Sequence, residues 1–184
     1  MAEQRDVIEV LTHDHREVED LFDQIEQATD ASERRELTDQ VITELVRHSV
    51  AEEQYLYPAA REHIPDGDAI VDGELADHNE VEQALKALEG IDADDPDFMA
   101  TFRRMSQDVK EHVQEEEDEL FPALREHASA QELRDLGEKV ERAKKISPTR
   151  PHPSSPDTPP LNKILGPGVG LVDRVRDKLT GRAQ

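Results

Sequence analysis

The feature that most constrains this chain is an internal echo. The stretch His48-Ser-Val-Ala-Glu52-Glu53-Gln-Tyr55-Leu-Tyr57-Pro58-Ala-Ala-Arg61-Glu62-His63 returns 64 residues later as His112-Val-Gln-Glu-Glu116-Glu117-Asp-Glu-Leu-Phe121-Pro122-Ala-Leu-Arg125-Glu126-His127, with nine of sixteen positions identical. A second echo precedes each copy: Asp14-His15-Arg-Glu17-Val18-Glu19 reappears as Asp77-His78-Asn-Glu80-Val81-Glu82, offset by 63. The chain is therefore two copies of a two-helix unit, each with an Asp-His helix and a His-x-x-x-Glu helix.

The apolar spacing turns that repeat into helices. Helix 1 is expected from about Glu3 to Ala28, with Ile8, Leu11, His15, Val18, Phe22 and Ile25 as its inward stripe, the alternating three-and-four spacing of an amphipathic helix. His13 falls on the polar side, and Asp30 or Ser32 suits the cap of helix 2. Helix 2 reads from Glu33 to Glu62, its face carrying Leu37, Val41, Leu45, His48, Glu52, Tyr55 and Ala59. At about 100° per residue, Glu52 and Tyr55 lie near His48, and Tyr57 lands opposite. Pro58 and its twin Pro122 lack a backbone N–H, so each is expected to kink or end its helix.

Residues Ile64 to Asp72, with Pro65-Asp-Gly67, read as a connector. Helix 3 then carries Val71, Leu75, His78, Glu82 and Leu85 inward, until Gly90 stops it. Asp95-Pro96-Asp97 opens helix 4, whose inward residues are Phe98, Phe102, Met105, Val109, His112, Glu116 and Leu120, to about His127. Ser129-Ala-Gln-Glu132 is a capping box for a fifth helix ending near Lys145. Ser147 to Pro160 holds six prolines in fourteen residues and reads as an extended linker. Residues 161–184 form a basic amphipathic tail, and residues 147–184 carry a net +3.

The expected fold is all-α: an up-down-up-down four-helix bundle with a short fifth helix and a Pro-rich, partly disordered C-terminal tail. Its units are 1–128 (bundle), 129–146 (added helix), 147–160 (linker) and 161–184 (tail). Zero cysteines exclude disulfides and thiolate metal sites. No apolar run reaches transmembrane length and no secretory signal is visible, so a cytoplasmic protein is expected. A net charge of −22 argues against nucleic-acid binding.

Four histidines and two glutamates at matching depth on inward stripes carry the chemistry. Burying so many ionisable groups in a bundle with 3% aromatic residues is unfavourable unless something pairs them. A pair of cations does so, and imidazole with carboxylate but without thiolate favours iron or manganese.

At these residues the sequence resembles the hemerythrin-like (HHE cation-binding) family, over about residues 5 to 128. The resemblance implies a non-haem di-iron centre, oxo- or hydroxo-bridged, held by His15, His48, Glu52, His78, His112 and Glu116, with both glutamates bridging. The oxygen carriers of the family have a second helix 3 histidine four residues from the first; here the residues four away from His78 are Glu74 and Glu82. That opens one coordination position more than in the carriers. Glu82, Glu74 and Tyr55 are the candidates to fill it, against the plainer readings of surface acids and a core tyrosine. An anionic oxygen donor favours ferric iron, and with it reaction with peroxide or other reactive oxygen or nitrogen species. Two functions stay open: catalase- or peroxidase-like turnover, or binding and sensing of oxygen, nitric oxide or iron without turnover. The expected partners are a small molecule (O2, H2O2 or NO) and a protein for the tail, with neither membrane nor nucleic acid.

Overall fold

In the computed structural model, which describes residues 5–152, helices run Val7–Gln27 (α1), Ala31–Ala51 (α2), Tyr57–His63 (α3), Gly67–Glu89 (α4), Phe98–Glu115 (α5), Phe121–His127 (α6) and Ala130–Lys144 (α7). Five-residue π turns, Glu52–Leu56 and Glu116–Leu120, join α2 to α3 and α5 to α6. The fold is the expected helical bundle: four long helical units, two of them widened by a π turn, and a fifth helix. α1 packs on α2, α4 on α5, and α7 lies across α1 and α2. No helix among the described residues is long and apolar enough to cross a membrane.

Local chemistry sets the starts. Asp6 closes a capping box with Glu9, so α1 begins at Val7 rather than near Glu3. Asp30, not Ser32, caps α2 by accepting from the N–H groups of Ser32 and Glu33. α4 begins at Gly67, earlier than expected, after Asp66 turns the chain with a left-handed φ of 60°. Gly67 is required there, because a Cβ would lie 2.4 Å from the Ala60 carbonyl oxygen. Arg61 then ties the corner through Asp68 (2.8 Å) and Asp72 (2.6 Å). Pro96 stays outside α5, and Asp97, the residue before the helix, makes no side-chain capping bond. Ser129 and Glu132 form the expected capping box of α7.

Neither Pro58 nor Pro122 ends its helix. The missing N–H falls just after a π turn, where the wider ring has already displaced the ladder: Tyr57 N–H bonds to Glu52 O, and Phe121 N–H to Glu116 O. The extra residue rotates everything beyond it. Tyr57 takes roughly the angle an ideal helix gives position 56, about 80° from His48 instead of 180°. It is therefore buried, 2% exposed, and not opposite the inward face.

Two apolar clusters sandwich a polar layer. One gathers Val7, Leu11, Leu56, Tyr57, Leu120, Phe121 and Leu124 with α7 residues Leu133, Leu136 and Val140. The other gathers Val18, Phe22, Val41, Leu45, Leu85, Phe98, Phe102 and Met105. α7 docks closely because Gly137 has no side chain; a Cβ there would meet Arg5 O at 2.6 Å and Val7 N at 3.1 Å.

The expected linker starts bound to the bundle. Ser147, Thr149 and Arg150 are buried, Arg150 pairs with Glu89 at 2.6 Å, and His152 N–H donates to Glu82 at 2.7 Å. The remainder of the linker and the basic tail lie outside the described residues.

Candidate metal centre

The six expected His and Glu residues converge between the two clusters, all of them buried. His15, His48, Glu52 and Glu116 form one group with donor atoms within 4.8 Å of one another; Glu52, His78 and His112 form a second, and Glu74, His112 and Glu116 a third. In the first, His15 Nε2 lies 3.2 Å from His48 Nε2 and 3.4 Å from Glu116 Oε2, and His48 Nε2 lies 3.0 Å from Glu52 Oε1. Across the bundle, His78 Nε2 lies 3.2 Å from His112 Nε2 and 3.4 Å from Glu52 Oε2, with His112 Nε2 3.8 Å from Glu116 Oε2. Octahedral donors at about 2.1 Å from an ion sit roughly 3 Å apart. Glu52 and Glu116 each reach toward both histidine pairs.

The sequence repeat reappears as a pseudo-twofold arrangement around the rings. His15 Nδ1 meets Glu117 Oε1 at 2.8 Å, and its twin His78 Nδ1 meets Glu53 Oε1 at 3.1 Å. His48 Nδ1 meets Asp14 Oδ2 at 3.3 Å. These carboxylates accept from Nδ1 and fix the rings with their Nε2 atoms turned inward, toward each other. Glu53 and Glu117 had a visible signal, the doubled Glu-Glu retained in both copies of the repeat; sequence reasoning assigned them no role. Arg16 in turn pairs with Glu117.

Three places break the symmetry. First, Lys144 of α7 pairs with Asp14 at 2.6 Å, whereas the twin Asp77 stands 3.9 Å from His112 Nδ1. Second, Glu74, one turn before His78, is buried and brings Oε2 to 3.1 Å from His112 Nδ1, out of line for a hydrogen bond. Third, Tyr57 stands where the other half has Phe121. Tyr57 Oη is 2.8 Å from His78 Nε2 and 3.3 Å from Glu116 Oε1, while Phe121 only stacks on His15 at 5.8 Å.

The lower-ranked candidates therefore rearrange. Tyr55 is half-buried and packs against the cluster that holds α7, while Tyr57 stands beside His78 and Glu116. Glu82 is half-buried and holds the His152 N–H, away from the three groups, while Glu74 joins one of them. His13 is on the surface beside Glu17, as its spacing implies.

The buried acids and imidazoles of this layer shift one another's protonation. Burial alone would pull the His48 imidazolium down, but Glu52 and Asp14 outweigh it and hold it up at about 10. His78 is raised in the same way against burial by Glu52 and Glu53, and His112 by Glu116 and Glu74. Burial would raise Glu52, yet His48 and His78 hold it well below the usual carboxylate range. Glu74 is raised, chiefly by burial. Burial and the surrounding glutamates push the Tyr57 phenol well above its ordinary value.

The donors fit metal. Both oxygens of Glu52 and Oε2 of Glu116 are fully buried and face only histidine nitrogens, with none in hydrogen-bond geometry, an arrangement that a shared cation would satisfy. Beside them lies a small cavity of about 20 Å³, bounded by the four histidines and by Val18, Phe22, Leu45, Val81, Val109 and Val113. That is room for about one water-sized molecule.

Comparisons with known proteins agree with this geometry. The model of the hemerythrin HHE cation-binding domain matches residues 6–124. An uncharacterised hemerythrin-like protein of Schizosaccharomyces pombe is 28% identical over 94% of this chain and 86% of its own. A DNA nickase of Nostoc is 31% identical over 74% of this chain, which spans only 38% of that protein. The crystal structure of a hemerythrin HHE cation-binding domain-containing protein from Mycobacterium kansasii is similar with a TM-score of 0.68 and 26% identity, covering 77% of this chain and 86% of that one. With its buried His/Glu layer inside a helical bundle, the chain belongs to the hemerythrin HHE cation-binding family.

Proposed function

We infer that the protein holds two iron ions and reacts with peroxide or related reactive oxygen and nitrogen species. Tyr57 carries this reading. Its oxygen stands 2.8 Å from the inward nitrogen of His78 and 3.3 Å from Glu116 Oε1, within reach of an ion held by those two residues. A bound cation reverses the effect of burial on the phenol, because its charge favours the phenolate. An anionic oxygen donor offsets the extra charge of ferric iron and works against the lasting ferrous state that reversible oxygen carriage needs.

When bound, a pair of irons supplies Lewis acidity and one-electron redox chemistry. His15 and His48 would hold one ion and His78 and His112 the other, with Glu52 and Glu116 within reach of both. Glu117, Asp14 and Glu53 accept from Nδ1 and fix ring orientation. The small cavity, walled by valine, leucine and phenylalanine beside the histidines, has room for about one small molecule. The cavity also suits oxygen or nitric oxide, so binding without turnover is the second reading. The net charge of −22 supports a function without nucleic acid, despite the nickase likeness.

The test is hydrogen peroxide added to the iron-loaded chain with an oxygen electrode. Many oxygen molecules evolved per chain support the enzymatic reading. A reversible, oxygen-dependent visible band without turnover would replace it with carriage or sensing.

A further inference from the structure

The repeat gives each half of the centre an outer cleft, and the two clefts have opposite character. On one side a cleft of about 130 Å³ between α4 and α5 is lined by Asp77, Glu80, Asp108, Glu111 and Glu115, with His112 in its wall and no lysine or arginine among its described lining residues. The twin positions on the other side are Asp14, Glu17, Glu44, Arg47 and Ala51. There the end of α7 adds Lys144 and the next residue Lys145, and Lys144 pairs with Asp14. That cleft is the roomier, at about 510 Å³, but four of its eight lining residues are lysine or arginine, whereas the cleft between α4 and α5 is lined by acids.

The acidic cleft ends on His112 and Glu74, whose facing atoms pair at 3.1 Å without hydrogen-bond geometry. His112 is 7% exposed and spans the wall, with Nε2 toward His78 and Glu116 and Nδ1 toward Glu74 and Asp77. Its Nδ1 and Glu74 Oε2 are both buried without a hydrogen-bond partner. The twin His48 Nδ1, by contrast, is bonded to Asp14. A chain of oxygen donors thus leads from solvent through Asp77 and Glu74 to a ring whose far nitrogen faces the centre.

We propose that this cleft is the entrance through which divalent metal ions reach the centre. The proposal rests on the reading of the centre as a metal site. Carboxylates lining a low-dielectric cleft focus the field and concentrate cations, raising capture rates by about 10- to 1,000-fold, and salt removes the effect. Hard divalent ions take oxygen ligands readily and exchange them through water, so the exposed acids hand an ion inward without trapping it.

The experiment follows anaerobic uptake of Fe2+ by the metal-free full-length chain, with rapid chelator quenching and metal analysis at set times. The triple substitution Glu80→Gln/Asp108→Asn/Glu111→Gln removes three exposed charges from the cleft; Asp20→Asn/Asp23→Asn/Glu126→Gln removes three elsewhere. The expected result is a final two irons per chain in all three proteins, with the cleft variant about tenfold slower at low salt and the difference gone at high salt. Equal rates for the cleft variant and the parent overturn the entrance, as does equal slowing in the control or a reduced final content in the cleft variant. A parent chain that takes up no iron overturns instead the metal-site reading beneath it.

Discussion

Lys144 Nζ lies 2.6 Å from Asp14 Oδ1, and the other oxygen of the same carboxylate lies 3.3 Å from His48 Nδ1. A residue of the fifth helix is thereby coupled to an inward-facing imidazole in the bundle. Burial would raise the Asp14 carboxyl, but His48 and Lys144 hold it below its usual value. Asp14→Asn leaves the ring without its anionic anchor and should weaken iron retention about 10- to 100-fold, read by competition with a graded chelator. Lys144→Met should cost about 1–3 kcal/mol of stability in denaturant unfolding of the metal-free chain. Unchanged retention in Asp14→Asn would remove it from the centre.

Tyr57→Phe keeps the ring packing and deletes the oxygen beside His78 and Glu116. The oxidised, iron-loaded parent should show a broad phenolate-to-iron band in the visible region, absent in Tyr57→Phe and retained in Tyr55→Phe. Loss of the band in Tyr55→Phe alone would return that role to Tyr55.

Without metal, the raised histidines make stability fall with alkali. His48 moves from an ordinary value near 6.5 to about 10 in the folded chain, so its contribution is complete below pH 6.5 and is lost as pH rises through 10. His78 and His112 act in the same direction. Glu52, depressed in the folded state, acts at the other end: its contribution is present above about pH 4.5 and is lost as pH falls. The melting temperature of the metal-free chain should therefore peak near pH 5–6 and decline from pH 7 to 10. Loading with iron must displace the imidazolium protons, so it should release acid and flatten that alkaline decline. A flat profile in the metal-free chain would contradict the buried charge pairs.

The helices and the convergence of the six His and Glu residues were legible because they rest on periodicity: an i, i+4 pair on an amphipathic stripe has one face to point to. What escaped depends on departures from that period. A π turn of one extra residue moved Tyr57 inward and Tyr55 aside, and no helical wheel with a fixed angle contains it. Pro58 marked the place but suggested a break, since the missing N–H alone does not distinguish a stop from a widened turn. Glu74 and Glu82 are equally spaced about His78. Burial of the first and capture of the second by the His152 backbone are decided by tertiary contacts, which also bring Arg150 onto Glu89 and hold the start of the proline segment on the bundle.

The most direct measurement is iron per chain after anaerobic loading, for the parent, His48→Ala and His112→Ala, each checked for helical content by circular dichroism. About two irons in the parent and a clear loss in both variants, with the helices kept, is the expected result. Full occupancy in both variants, or no bound iron in a folded parent, would contradict a paired metal centre spanned by Glu52 and Glu116.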